Sequence, residues 1–216
     1  EAGISRLVNG PECFTPDGDA IMGPAPELDN VFVSVGFNAF GIAAGDYDEE
    51  RRFLLHTEIV QQGQVRAHSI ALNDAVIHKW NCARMIEFET WIDGNFVYTQ
   101  RSDGLIISTP TGSTAYALSG GGPLLTPSLQ AIALVPICPH TLTQRPIVLS
   151  ETSRLEIQVF PREGEAQLTV DGQTGLALAS GDRVSVAASE RPVLFVVDPY
   201  RSRFDVLRTK LGWGAG

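Results

Sequence analysis

The chain has 216 residues, 44% of them hydrophobic, and a formal net charge of −9 at pH 7. That is enough for one substantial core, or one core with a small appendage, and an acidic balance without a basic cluster argues against a nucleic-acid partner. No apolar stretch is long enough to span a bilayer. The acidic start lacks the basic and apolar regions of a secretion signal, and Cys13, Cys82 and Cys138 stand far apart. These features predict free thiols in a reducing cytoplasm rather than a disulfide framework or a zinc site.

Up to Pro26 the chain is rich in Pro and Gly, which predicts turns and extended pieces, with one clear strand at Val31–Val35. From Phe53 onward the runs are short and rich in β-branched and aromatic residues: Phe53–Gln61, Val65–Leu72, Met85–Ile92, Asn95–Gln100 and Leu105–Ser108. Each is bounded by Gly, Asn or Asp, as in an antiparallel sandwich. Ile92-Asp93-Gly94-Asn95 predicts a tight hairpin. Ala115–Ser119 predicts a short helix ended by Gly120–Gly122. The second half repeats the strand pattern at Ile132–Pro136, Arg145–Leu149, Arg154–Val159, Ala166–Val170, Arg183–Ala188 and Pro192–Val197. Phe204, Leu207 and Leu211 then recur at helical spacing in the tail. The expected class is mainly β.

Residues 103–116 carry the densest chemistry: Asp-Gly-Leu-Ile-Ile-Ser-Thr-Pro-Thr-Gly-Ser-Thr-Ala-Tyr. An apolar strand, Leu105–Ile107, runs into small hydroxyl residues around Pro110 and Gly112. Such a loop offers N–H groups and hydroxyls to a phosphate or ribose; a Ser/Thr-rich hairpin is the plain alternative. Ser113 is no hydrolase nucleophile, because Gly-Ser-Thr-Ala-Tyr lacks the strained elbow of that class. His56, His68 and His78 are scattered without ligand spacing and His140 reads as structural, so no metal site is expected.

Seven motifs in order carry a family resemblance: Arg51–Leu55, Ala71–Asp74, Met85–Gly94, Arg101–Pro123, Pro139–Pro146, Val170–Gln173 and Thr209–Trp213. Together they make residues 45–216 resemble the C-terminal domain of bacterial NAD kinases. The resemblance implies a β-sandwich domain that binds NAD. In that family, the terminal phosphoryl group of ATP or polyphosphate passes to the 2′-hydroxyl of the NAD adenosine ribose. By position it assigns NAD contacts to Asn73, Asp74, Arg101, Asp103, Thr114, Ala115, Tyr116, Ser119 and Gln173, and to Arg84 more weakly. Asp103 would act on the nicotinamide side, often across a subunit boundary, so a homodimer or homotetramer is implied.

The family's catalytic Gly-Gly-Asp-Gly loop is absent. Asp17, in Thr-Pro-Asp-Gly-Asp-Ala, is a weak stand-in, because Pro16 replaces the glycine that lets N–H groups face a pyrophosphate. ATP and Mg²⁺ are therefore implied only where a kinase site is completed. Residues 1–44 resemble instead part of the flavin-binding domain of the dimethylglycine and sarcosine dehydrogenases. The expected organisation is a short, strand-containing appendage at 1–44 followed by a NAD-binding β domain at 45–216. A folded chimeric scaffold without ligand function is the alternative, and no membrane partner is expected.

Overall fold

The computed structural model describes residues 20–24, 32–35, 48–141, 143–162, 165–197, 199–200 and 202–213. The Asp17 and Cys13 expectations lie outside these residues. In chain order the strands are β1 (Ala20–Pro24), β2 (Phe32–Val35), β3 (Asp48–Arg52), β4 (Leu55–Gln61), β5 (Gln64–Ala71) and β6 (Asp74–Lys79). Next come β7 (Ile86–Ile92), β8 (Asn95–Ser102) and β9 (Gly104–Ser108), a 3-10 turn at Thr111–Thr114 and the one-turn helix α1 (Tyr116–Ser119). The chain continues through β10 (Ala131–Ile137), β11 (Ile147–Ser150), β12 (Leu155–Val159) and β13 (Ala166–Val170). β14 (Thr174–Leu178), β15 (Arg183–Ala188), β16 (Val193–Val197) and the helix α2 (Arg203–Leu211) complete it. The mainly β expectation holds, and the tail is helical.

The described residues fall into two compact units, one drawn from Glu1–Arg51 with Val193–Gly216 and the other from Arg52–Pro192. The first is built on a four-stranded sheet in the order β2-β1-β16-β3. The segment expected to hold one strand therefore holds a second, β1, which pairs antiparallel with both β2 and β16. Its Ala-Ile-Met core is too short to stand out between Gly and Pro residues, and Pro24 sits at the strand end, where a missing N–H is tolerated. α2 begins at Ser202, whose hydroxyl accepts the Phe204 N–H, and ends at Gly212 in the left-handed region (φ 66°).

The second unit is a sandwich of two six-stranded antiparallel sheets, β11-β10-β9-β6-β13-β14 and β5-β4-β15-β12-β7-β8. Alternation explains the packing. Leu55, Ile59, Phe88, Leu155 and Ile157 from one sheet meet Ala75, Ile77, Leu105, Ile107, Ile132, Leu134 and Leu168 from the other, all fully buried or nearly so. The tight hairpin expected at Asp93-Gly94 is present, with both residues at positive φ.

The first of these sheets is buried on its outer face as well. There Val76, Ile106, Ala133 and Val135 pack beneath Ala117 of α1 in a second apolar cluster. Gly120 and Gly122 let this helix settle: a Cβ on either would come within 3 Å of a Val135 methyl. This double coverage makes β9 buried along its whole length. It also leaves a ledge beside α1, over β6 and β13.

Candidate functional site

The ledge is a cleft of about 330 Å³. Its floor follows directly from the pleat of β6, on which Asp74, Val76 and His78 face outward while Ala75 and Ile77 face the core. Thr169 lies opposite Val76 on β13, and the adjoining turn adds Asp171 and Gly172. Asn73, Ala115 and Tyr116 complete the lining. Tyr116 is 47% exposed, so much of its side chain is open to a stacking partner.

The Ser/Thr segment builds the wall of this cleft by using its own hydroxyls. Thr109 donates its N–H to the Asn73 carbonyl at 2.9 Å and its hydroxyl to the Leu72 carbonyl at 2.6 Å, while its oxygen accepts the Gly112 N–H at 3.1 Å. Ser113 donates to the Pro110 carbonyl at 2.7 Å and accepts the Leu125 N–H at 3.0 Å. Ser108, Thr109 and Ser113 are completely buried. These hydroxyls fasten the loop rather than face a ligand, which corrects the simplest reading of the motif. Gly112 is indispensable to the arrangement, since a Cβ there would lie 2.5 and 2.7 Å from the carbonyl carbon and Cα of Asn73.

A second clamp comes from the Asp171-Gly172 turn, with φ of 48° and 68°. The Asp171 carboxylate accepts the N–H groups of Leu72 at 2.8 Å, Asn73 at 2.8 Å and Asp74 at 3.0 Å. The Asp171 N–H donates back to the Asp74 carbonyl at 3.0 Å. This fixes the start of β6 and brings two carboxyl groups together. Asp74, 5% exposed, has its pKa raised to about 6, first by burial and second by the charge of Asp171. Near neutral pH it is mostly an acceptor, and it takes a proton under mild acid.

Asn73, Asp74, Ala115 and Tyr116 thus come together from separate parts of the sequence. Thr114 and Ser119 flank the last two on the turn and helix that form the wall. Gln173 is exposed, one step past Gly172, and does not line the cleft. Asp103 lies beyond the His78 end, on the order of 17 Å along the strand from Asp74, and Arg101 is on β8 of the other sheet. Asp103 pairs with Lys79 Nζ at 2.9 Å and Arg101 approaches Glu87 at 3.8 Å. Arg84 is exposed in the segment after β6. Val76, His78, Thr169, Asp171 and Gly172 were not assigned from sequence. The alternation within Asp74–His78 was the available signal for two of them. Among the described residues no group of three or more His, Cys, Asp or Glu side chains is placed to hold a metal ion, and no helix is long and apolar enough to cross a membrane.

Two packed sheets, with a cleft on the outer face of one beside a buried Ser/Thr turn, define a β domain of the NAD kinase fold. The chain belongs to the ATP-NAD kinase C-terminal domain family, whose model matches residues 72–197. It is 49% identical over 172 residues to the NAD kinase of Shewanella oneidensis, covering 79% of this chain and 59% of that protein. Among solved structures it resembles yeast NADH kinase complexed with NADH, with a TM-score of 0.75 and 26% identity over 82% of this chain and 54% of that one. It also resembles an NAD kinase from Archaeoglobus fulgidus in complex with ATP, with a TM-score of 0.64 and 26% identity over 80% and 63% of the two chains. The chain spans under three-fifths of the length of the Shewanella relative.

Proposed function

We propose that this chain is the NAD-binding half of an NAD kinase, and that the outer-face cleft takes the adenosine end of the dinucleotide. The observation that carries this reading is the convergence of Asn73, Asp74, Ala115 and Tyr116 on one cleft in a chain of this family. Tyr116 supplies a flat face for the base, and Asp74 an acceptor for a sugar hydroxyl. That the yeast relative was solved with NADH supports a dinucleotide, and that the archaeal relative was solved with ATP supports a nucleotide phosphoryl donor for the complete enzyme.

Phosphoryl transfer needs a carboxylate near the attacking hydroxyl and a donor held in line with it. Without a Gly-Gly-Asp-Gly loop, and with only Asp17 as a stand-in, the chain alone has little or no kinase activity. ATP and Mg²⁺ join only where that site is completed. Asp103, paired with Lys79 past the end of the cleft, serves the nicotinamide side across a subunit boundary in a homodimer or homotetramer of a cytoplasmic protein. Residues 1–44 are a dehydrogenase-like join, of which β1 pairs with β16 and β2.

The scaffold alternative draws support from one observation: the hydroxyls of the central motif are spent inside the protein. Calorimetric titration with NAD separates the two readings. Saturable binding that Tyr116→Ala and Asp103→Asn weaken is the expected result. Absence of binding at millimolar NAD overturns the NAD-binding reading in favour of the scaffold.

A further inference from the structure

One polar pair on the cleft floor has no part in the assignments above. His78 Nδ1 lies 2.9 Å from the Lys79 carbonyl oxygen, and its Nε2 lies 2.7 Å from Thr169 Oγ1. A carbonyl oxygen only accepts, so Nδ1 carries the hydrogen. In the neutral ring Nε2 is then an acceptor, and the Thr169 hydroxyl must spend its single hydrogen on it. What Thr169 has left is lone pairs. Both residues line the cleft.

We propose that His78 is a positioning residue that fixes Thr169 as a hydrogen-bond acceptor toward the cleft, so that Thr169 selects a ligand donor group, either an amino group or a sugar hydroxyl. This rests on the reading that NAD occupies the cleft. The ring of His78 is excluded as a base in this state, because both nitrogens are committed. It also meets the Trp80 ring edge to face, with centroids 6.1 Å apart, and this contact adds to the hold on its orientation. Asp74 and Thr169 face outward from adjacent strands of the floor, and both offer acceptors. The floor is thereby suited to an uncharged, donor-bearing moiety and unsuited to a phosphate, which brings only acceptors and negative charge.

The test is a calorimetric titration with NAD and with nicotinamide hypoxanthine dinucleotide, in which the adenine amino group is replaced by a carbonyl. Thr169→Val keeps the shape and strand preference but loses the acceptor, and Thr169→Ser keeps both hydroxyl and acceptor. The expected result is NAD binding roughly 3- to 10-fold weaker in Thr169→Val and restored in Thr169→Ser. His78→Phe should weaken binding in the Thr169 background but add nothing to Thr169→Val, since it acts through that hydroxyl. If the amino group is the donor, the hypoxanthine analogue loses affinity in the wild type and is indifferent to Thr169→Val. If a sugar hydroxyl is the donor, both dinucleotides lose equally. Wild-type binding with an unchanged Thr169→Val overturns this inference and leaves the NAD-binding reading intact, and so does additivity of the two substitutions. Failure of the wild type to bind either dinucleotide overturns both.

Discussion

Substituting Gly112 by alanine tests whether the cleft wall is held by backbone contact, as the geometry requires. A Cβ at this position would sit 2.5 Å from the Asn73 carbonyl carbon and closer still to its oxygen, where ordinary contact begins at 3.4 Å. The turn must therefore retreat by about 1 Å, and it meets main chain rather than a side chain that could swing away. Such a shift breaks or weakens the Thr109 N–H bond to Asn73 and the Gly112 N–H bond to Thr109. At about 1 kcal/mol each, with about 1–2 kcal/mol for the strain that remains, the loss is about 3–4 kcal/mol. Urea denaturation of Gly112→Ala beside Gly94→Ala isolates the effect. Gly94 has φ +76° with nothing within 4 Å, so it reports the left-handed backbone penalty alone, about 1–2 kcal/mol. The displaced wall should also carry Ala115 and Tyr116 out of place and weaken NAD by at least about tenfold. Equal stability of the two variants, with NAD affinity unchanged in Gly112→Ala, would refute the reasoning.

Two more outcomes follow from the paired carboxyls. The folded pKa of Asp74, about 6, lies above the ordinary carboxylate value of 3.8. The native state thus holds a proton that the unfolded chain has released, and this stabilisation is complete below about pH 3.8 and lost as pH rises through 6. Allowing for solvent screening within the open cleft, about 1–2 kcal/mol is at stake. Asp74→Asn should show a flatter melting temperature than wild type between about pH 5 and pH 7; parallel profiles would contradict the assignment. Asp171→Ala deprives three backbone N–H groups of their acceptor and should cost about 3 kcal/mol in chemical denaturation. Amide exchange should quicken at Leu72–Asp74, and unchanged protection there would refute the clamp.

The sandwich was legible because most of its strands alternate cleanly or run apolar between turn residues. β6 was not read as a strand, because Asp-Ala-Val-Ile-His-Lys is covered on both faces and begins at the Asn-Asp pair, which reads as a turn. β14 was hidden by Gly175, where the Gln167 side chain occupies the space a Cβ would take. β3, Asp-Glu-Glu-Arg-Arg, has nothing apolar to mark it. The cleft was half legible. Asn73, Asp74, Ala115 and Tyr116 came from motif position, whereas Thr169 and His78 depend on a diagonal across two strands that no local pattern records. The buried hydroxyls of the Ser/Thr turn show the converse, since residue types suited to a ligand served the fold instead.

Cleft and core are two sides of the same strand, and this bears on how the sheet finds its pairing. Sliding β6 by one residue against β9 and β13 would turn Asp74 and His78 inward among Ile107, Leu168 and their neighbours, and move Ala75 and Ile77 out of the core to the outer, cleft-bearing face. An unpaired carboxylate in such surroundings costs several kcal/mol. The groups that await a ligand in the finished protein therefore act, during folding, as markers that reject the shifted alignment. Exchanging them for apolar residues would remove more than recognition: it would leave the central strand with two acceptable ways to lie.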